Sequence, residues 1–386
     1  MRDVFIVEAV RTPMGRGKDD GGLHSVHPVD LLATTLAEVV KRAGIAKEHI
    51  EDVIAGCVTP MGEQGANIAR LALLKAGFPV HVPGVQLNRM CGSGQQAVHF
   101  VSQAIAAGDM EIAIGSGVEM MGRIPMGSDW GVLTGDFLET FPYPLQSMGI
   151  CAEQIAEKWD LSRRDLDEFS AASHANAANA TQNGWFKGQI VPVESKAADG
   201  STRVLEVDEG IRPNVSIEKM MSLKPAFKEN GVITAANASQ ISDGSGAVLV
   251  ASQAAIDKHG LKKRARIVTR VVVGSDPGLT LTGPIPATQM ALKKSGLSIG
   301  DIDVIEINEA FASVVLAWAK DIKPDMKRVN PNGGAIAMGH PLGATGAILM
   351  TKLVHELERT GARYGLQTMC IGHGMATATI IERVEK

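Results

Sequence analysis

Gln86-Leu87-Asn88-Arg89-Met90-Cys91-Gly92-Ser93-Gly94-Gln95 reads as a short strand ending in asparagine, a glycine-rich turn and the opening of a helix. The second half of the chain repeats that plan with Arg328-Val329-Asn330, another glycine-rich turn and another helix. Upstream, Asp52-Val53-Ile54-Ala55 is matched by Asp303-Val304-Ile305-Glu306. Downstream, the helices expected near 94–107 and 344–361 lead to similar segments, Ala113-Ile114-Gly115-Ser116-Gly117 and Cys370-Ile371-Gly372-His373-Gly374. Self-similarity at this scale predicts two related α/β units built from β-α-β crossovers. In this alignment of the halves Cys370 takes the place of Ala113.

Residues 121–241 break the pattern. They are rich in polar and turn-forming residues, with helices expected over Ala152–Trp159 and Arg163–Asn183, and read as an insertion covering one face of the core. The expected division is 1–120 plus 242–264 for the first half, 121–241 for the inserted loop domain, and 265–386 for the second half. The apolar run Gly244-Ser245-Gly246-Ala247-Val248-Leu249-Val250 returns the chain to the core as a strand.

The composition suits this plan. Of 386 residues, 45% are hydrophobic and 21% charged, as in ordinary soluble globular proteins. The 42 glycines exceed the roughly 27 expected at average usage and sit in short clusters, where backbone can approach backbone or ligand. A net charge of −4 offers no general affinity for nucleic acid or an anionic membrane, so an anionic substrate needs a local basic patch. No apolar run reaches membrane-spanning length, and the start does not read as a signal peptide. Four scattered cysteines without metal-ligand spacing predict free thiols in a reducing compartment, the cytoplasm, and no metal.

Cys91 stands where a strand gives way to a helix. The N–H groups and partial positive charge of a helix N-terminus favour thiolate and can bind an oxyanion. A buried structural cysteine is the competing reading, and it fits Cys57 and Cys151 better. His340, between Gly339 and Pro341 in a loop opening a helix, is held by a constrained backbone and can take a thiol proton at neutral pH. A loop histidine without a chemical role is the alternative, which the residue alone does not decide. Cys370 closes a strand at a Gly372-x-Gly374 turn and reads as a second acid/base thiol.

Together Asn88-x-x-Cys91-x-Ser93-Gly94, Asn308-Glu309-Ala310-Phe311-Ala312, Gly333-Gly334-x-x-x-x-Gly339-His340-Pro341-x-Gly343 and Cys370-x-Gly372-x-Gly374 resemble the thiolase family in order and spacing. Asn237-Ala238-Ser239, Asp243-Gly244 and Gly283-Pro284 match as well, so the resemblance covers essentially the whole chain. It implies the α/β thiolase fold, a duplicated five-layer αβαβα core with an inserted loop domain. It also implies thiolytic cleavage of 3-ketoacyl-CoA, with CoA as a substrate and no separate cofactor. His340 would activate Cys91 to carry the acyl group, and Cys370 would serve the departing acetyl-CoA carbanion and the incoming CoA. The backbone N–H groups of Cys91 and Gly372 would form one oxyanion hole, and His340 with a water held by Asn308 the other. Arg212 matches a nucleotide-contacting position, with Lys219 and Lys224 as further cations of the nearest basic cluster. Ser239 and Phe311 match the pantetheine tunnel, and Met148 would face the acyl group. The resemblance further implies a homodimer or homotetramer. It leaves room for a partner carrying the preceding β-oxidation steps, though no residue here points to one.

Some positions depart from the family pattern. His373 and Ala376 stand where glycine or a small or apolar residue is usual, and Ser147 stands where acetoacetyl-CoA-restricted relatives commonly carry histidine. With Trp130, Phe137, Phe141 and Tyr143 nearby, Ser147 favours a broader acyl pocket and a degradative role over condensation of two acetyl-CoA. A ketosynthase-like enzyme or a Cys-His-Asn hydrolase would not need Cys370. A non-catalytic acyl-CoA or lipid carrier would not need Cys91, Asn308, His340 and Cys370 together. A dinucleotide site is excluded, because no G-x-G-x-x-G follows the first strand.

Overall fold

The computed structural model describes residues 2–131, 133, 135–197 and 199–385. The first half runs β1 (Val4–Arg11), β2 (Gly15–Arg16), α1 (Pro28–Ala43), β3 (Val53–Gly56), α2 (Ile68–Lys75), β4 (Gly84–Leu87), α3 (Ser93–Ala107) and β5 (Ile112–Met120). An excursion follows with α4 (Gly135–Thr140), α5 (Met148–Lys158), α6 (Arg163–Gln182), β6 (Val193–Lys196), β7 (Thr202–Leu205) and α7 (Ile217–Met221). The chain re-enters the core as β8 (Ser242–Ser252) and α8 (Gln253–His259). The second half comprises β9 (Ala265–Gly274), α9 (Pro284–Ser295), β10 (Val304–Ile307), α10 (Ala312–Ile322), α11 (Ala335–Met338), α12 (Leu342–Thr360), β11 (Tyr364–Ile371) and β12 (Met375–Arg383).

The strands lie in the order β10-β11-β12-β9-β1-β8-β5-β3-β4. In the first half β4, β3 and β5 are parallel, and β8 and β1 continue antiparallel. In the second half Val329 bridges β10 in parallel, β11 is parallel to β10, and β12 and β9 continue antiparallel. The chain therefore builds one five-stranded pattern twice, joined where β1 pairs β9 through Phe5 with Arg266 and Ile6 with Ala265. Apolar residues of α1, α2 and α8 cover the outer face of the first half, and those of α9 and α10 that of the second. Between the two lies a layer from α3 and α12, where Val98, Val101 and Ile105 pack with Met350, Leu353 and Leu357. Five layers result: helix, sheet, helix, sheet, helix.

The strand register corrects one expectation. Val53 pairs with Ile114, and Val304 with Gly365. Carried along the strands, that match sets Cys370 against Glu119, not Ala113. Likewise Val85 and Val329 hold equivalent places beside Ile54 and Ile305, so Asn88 aligns with Asn332 rather than Asn330. Short apolar strands tolerate a shift by an even number of residues, here six for Cys370 and two for Asn88, which keeps every side chain on its own face, and only the hydrogen-bond ladder decides.

The α3–α12 contact is backbone against backbone. A Cβ on Gly56 would come within 2.6 Å of the Gly94 nitrogen and 2.7 Å of the Gly343 carbonyl oxygen. One on Gly94 would approach that same oxygen to 2.8 Å, and one on Gly346 would land on the backbone nitrogen of Gln95. Only glycine permits this approach. It brings the starts of the two central helices, one carrying Cys91 and the other following His340, to one place.

The excursion is pinned to the core by a buried ion pair. Arg11 donates from both terminal nitrogens to Asp208, at 2.7 and 3.0 Å, and from Nε to Gln189 at 2.7 Å. Neither charged side chain has any exposed surface. No helix among the described residues is long and apolar enough to cross a membrane.

Candidate active site

Cys91 closes the turn between β4 and α3. Its neighbour Met90 is held at φ 45°, a left-handed conformation that L side chains rarely adopt, which presses the cysteine backbone into the junction. Residue 91 is partly buried and packs against Val58, Met121 and Leu342. Burial pushes the thiol up to about 11, and the N–H groups of Gly372 and Cys91 itself pull against that rise. The helix terminus was expected to supply a thiolate, but desolvation outweighs it. At neutral pH Cys91 rests as a thiol, with the Gly372 and Cys91 N–H groups turned toward its sulfur.

Cys370 lies at the end of β11, two residues before Gly372, fully buried among Ala310, Phe311 and Ile336. Burial raises its pKa strongly, and the nearby Cys91 sulfur adds to the effect. The structure thus brings both thiols to the tight connection between β11 and β12. That connection places His373 at φ 63° and Gly374 at φ 75°. His373 is a side chain in a left-handed position, where glycine would be unstrained.

His340 is buried, and desolvation pushes it down to about 4, so its ring is neutral. Its Nδ1 lies 2.6 Å from Thr345 Oγ1, and Thr345 Oγ1 donates to the Pro341 carbonyl at 2.8 Å. A hydroxyl has one proton. Because Thr345 gives that proton to Pro341, its oxygen accepts from His340, and the imidazole carries its hydrogen on Nδ1. Nε2 is then bare. It faces Asn308 Nδ2 at 3.3 Å, which donates to it, while Asn308 Oδ1 makes no hydrogen bond within the protein. Neither ring nitrogen is bonded to Cys91; Leu342, two residues beyond His340, links the two by packing against the Cys91 shell.

Two carboxylates, to which the sequence assigned no role, fix this geometry. Glu119 accepts from the N–H groups of Val58 at 2.8 Å, Thr59 at 3.1 Å and Gly343 at 2.9 Å, and from Gln64 at 2.9 Å. It ties the loop after β3 to the first turn of α12. Glu309 accepts from Ser173 at 2.7 Å, Asn330 at 2.8 Å and the Ile336 N–H at 3.1 Å, under the Gly333-Gly334 turn that leads to His340. Both are fully buried, and burial raises their pKa while the donors hold it down. An acidic residue inside an apolar strand, Glu119, was the legible sign.

The remaining positions fall around a mouth. Arg212 and Lys219 border a cleft of about 190 Å³ with His174, Asn214 and Ala236. His174 is oriented there by the Arg212 N–H, 3.1 Å from its Nδ1. Lys224 sits on the exposed surface and does not line that cleft. From Ala236 the chain runs to Ala238, which bridges Phe311, and to Ser239, whose N–H donates to Ala310. Phe311 meets Phe227 edge-on at 6.0 Å. Met148 opens α5, and its Cε stands 3.5 Å from the position of a Cβ on Gly372. Ser147 is the N-cap of that helix, accepting from Ile150. Ala376 faces Gly283, where a Cβ would come within 2.7 Å of its own. No three His, Cys, Asp or Glu side chains among the described residues cluster as metal ligands would.

Comparison with known proteins matches this geometry to one family. Residues 4–254 match the family model described as thiolase, N-terminal domain, and residues 261–383 that described as thiolase, C-terminal domain. A steroid 3-ketoacyl-CoA thiolase of Mycobacterium tuberculosis is 48% identical over 100% of this chain and 95% of its own. A 3-ketoacyl-CoA thiolase of Vibrio parahaemolyticus is 44% identical, covering 99% of this chain and 98% of its own. Among solved structures, human mitochondrial 3-ketoacyl-CoA thiolase superposes with a TM-score of 0.92 at 35% identity, covering 100% of this chain and 99% of its own. Bacillus anthracis acetyl-CoA acetyltransferase superposes equally well at 37% identity, with the same coverage.

Proposed function

We propose, from the premise that this chain belongs to the thiolase family, that it cleaves 3-ketoacyl-CoA with CoA to give acetyl-CoA and a shortened acyl-CoA. The observation that carries this reading is two buried thiols sharing one turn, beside a neutral imidazole whose Nε2 carries no hydrogen and accepts only a 3.3 Å bond from Asn308.

The bare Nε2 of His340 takes the Cys91 proton as the sulfur attacks the keto carbon. The C2–C3 bond breaks, its electrons pass to C2 of the departing acetyl-CoA, and Cys370 gives that carbon a proton. Cys91 is left as a thioester and Cys370 as a thiolate. Incoming CoA loses its thiol proton to Cys370 and attacks the acyl carbon. Cys91 leaves and recovers its proton from His340. The Cys91 proton comes back from His340, the CoA proton replaces the one Cys370 gave to acetyl-CoA, and all three residues end in their starting protonation states. The bare nitrogen has a second use: only after it holds the Cys91 proton can it donate to the enolate oxygen, so charge stabilisation on that side is switched on by acylation itself. The Gly372 and Cys91 N–H groups, already turned toward the sulfur, are placed to receive the oxyanion formed at each attack.

Arg212 and Lys219 are the groups we assign to the CoA nucleotide, with Ser239 and Phe311 along the pantetheine arm. The reverse condensation of two acetyl-CoA uses the same atoms; the degradative direction is favoured by the two 3-ketoacyl-CoA thiolases quoted above. We assign a homodimer or homotetramer, with β4, an outer strand whose Val85 is 45% exposed, as the joining edge. Such a bare apolar edge calls for a partner. Residues 1–120 with 242–264, 121–241 and 265–386 are the units we assign, and the cytoplasm the compartment.

The test is CoA-dependent loss of 3-ketoacyl-CoA absorbance across acyl lengths. Activity is expected in the native enzyme and none in Cys91→Ser. Cys370→Ala should still acylate Cys91 while losing hydrogen exchange at the acetyl methyl. Cleavage that survives in Cys91→Ser would end the proposal.

A further inference from the structure

Two buried charges remain without a role in the chemistry just described. Lys352 in α12 and Glu306 in β10 form an ion pair at 2.7 Å, with side chains 1% and 0% exposed. Such a pair is a poor source of stability, because both ions lose their water and an apolar pair of similar volume does as well. Burial raises the pKa of Glu306 against the pull of Lys352, and Glu306 Oε1 makes no hydrogen bond within the protein. The pair therefore calls for an explanation other than cohesion.

The ammonium has a second acceptor. Lys352 Nζ donates to Glu306 Oε2 and also to the Gly333 carbonyl, each at 2.7 Å. Each partner leads to one of the two side chains that meet at 3.3 Å, Asn308 and His340. Glu306 stands two residues before Asn308, which continues the β10 ladder through its N–H to Thr368. Gly333, at φ 71°, opens the turn that runs through α11 to Gly339 and His340. The helix that supplies Lys352 also supplies Thr345, the partner of His340 Nδ1. Thr345 and Lys352 are seven residues apart on α12, close to two full turns, and so lie on one stripe. Glu356, one turn further, accepts from Asn332 at 2.8 Å. One face of α12 thus grips the imidazole, the turn before it and the strand beside it.

We propose that Lys352 is a positioning residue for the pair that receives the enolate: its ammonium ties the strand end carrying Asn308 to the turn leading to His340, and so sets the distance between those two side chains. The inference rests on the thiolysis proposed above and adds a residue to that site. An ammonium suits the task. It offers three donors around one point, so a carboxylate from one segment and a carbonyl from another can share it. An apolar side chain would fill the same space and bind neither. Neutralising Glu306 would need only the ion pair; the bond to a backbone carbonyl is what carries the constraint to the segment before His340. Burial keeps water from competing for either bond. Lys352 acts through Asn308 and His340, not on the substrate.

The experiment compares the native enzyme with Lys352→Met and with the double variant Lys352→Met/Glu306→Met, which replaces the ion pair by apolar side chains of similar length. The assay measures kcat and KM for CoA-dependent cleavage of the better of acetoacetyl-CoA and 3-ketooctanoyl-CoA, with hydrogen exchange at the acetyl methyl of acetyl-CoA beside it. Misplacing a catalytic group costs rate, so kcat and exchange should both fall by roughly ten- to hundredfold in Lys352→Met, with KM for CoA unchanged. The double variant should fold and keep the same deficit, since it restores charge balance but not the bond to Gly333. Recovery of kcat in the double variant would mean that Lys352 only neutralises Glu306, and overturns the inference. A native kcat in Lys352→Met overturns it as well, as does a loss confined to KM. If the single variant does not fold, the double variant decides. A native enzyme that cleaves neither substrate would instead remove the thiolysis reading, so the two failures are distinct.

Discussion

Cys91 rests as a thiol, where its helix start reads as favouring thiolate, and the difference has a physical reason. A helix start and a neighbouring imidazole argue for thiolate, but the cost of burying charge is set by surroundings drawn from distant segments, here Val58, Met121 and Leu342. With the thiol pushed up to about 11, the thiolate fraction grows tenfold per pH unit below that value. Alkylation of Cys91 by iodoacetamide should therefore accelerate by roughly tenfold per unit between pH 7 and 9. A rate already level at pH 7 would mean that the ion pair exists before substrate arrives. Thr345 is the positioning residue for the imidazole. Thr345→Val keeps the shape but removes the acceptor for Nδ1–H, and kcat should fall by roughly ten- to hundredfold with KM little changed. Thr345→Ser should restore it. Since His340 is pushed down to about 4, it stays unprotonated as pH falls through 6.5, and native activity should not drop there as it would with an ordinary histidine.

Among the elements, α3 and α12 carry the consequence of duplication. The sequence showed both helices, both glycine-rich turns and the paired thiol motifs, because each is a local pattern. It could not show the register, since Ala113 and Glu119, six residues apart in β5, lie on the same face, and a hydrogen-bond ladder with β3 is needed to choose. Nor could it show that Glu119 reaches across to the Gly343 N–H, a contact between residues 224 positions apart. The backbone contact at Gly346 makes a sharp prediction. Gly346→Ala would force a methyl into the Gln95 backbone and should cost ~3 kcal/mol or more, near the upper end of overpacking effects. A urea denaturation midpoint shifted down at unchanged slope would register it. A midpoint within error of the native protein would mean that the two helices can part more easily than the structure indicates.

For the molecule as a whole, the resemblance spanning four motifs made the five-layer core legible, because those motifs occupy both halves. The excursion between β5 and β8 was legible only as a departure from the repeat. Its attachment was not, since Arg11 and Asp208 are 197 positions apart and neither stands in a motif. Removing one partner strands a buried charge. Asp208→Ala should cost about 3–5 kcal/mol if the excursion and core unfold together. If the excursion instead loosens alone, proteolysis within 121–241 should precede global unfolding, and KM for CoA should rise because Arg212 lies four residues beyond Asp208. Limited proteolysis beside a thermal melt distinguishes these outcomes, and an unchanged melt with native proteolysis would deny the ion pair its anchoring role.

The glycine seam between the central helices has a further consequence for how such a protein can diversify. Where backbone rests on backbone there is no side chain to vary, so the ground beneath both thiols and the imidazole is closed to tinkering. New appetites must be acquired from the excursion, whose Met148 stands beside the Gly372 turn without sharing that seam. A mutagenesis library confined to 130–148 would therefore be the economical place to look for altered diets, and one directed at 92–95 or 343–346 would return mostly dead enzyme.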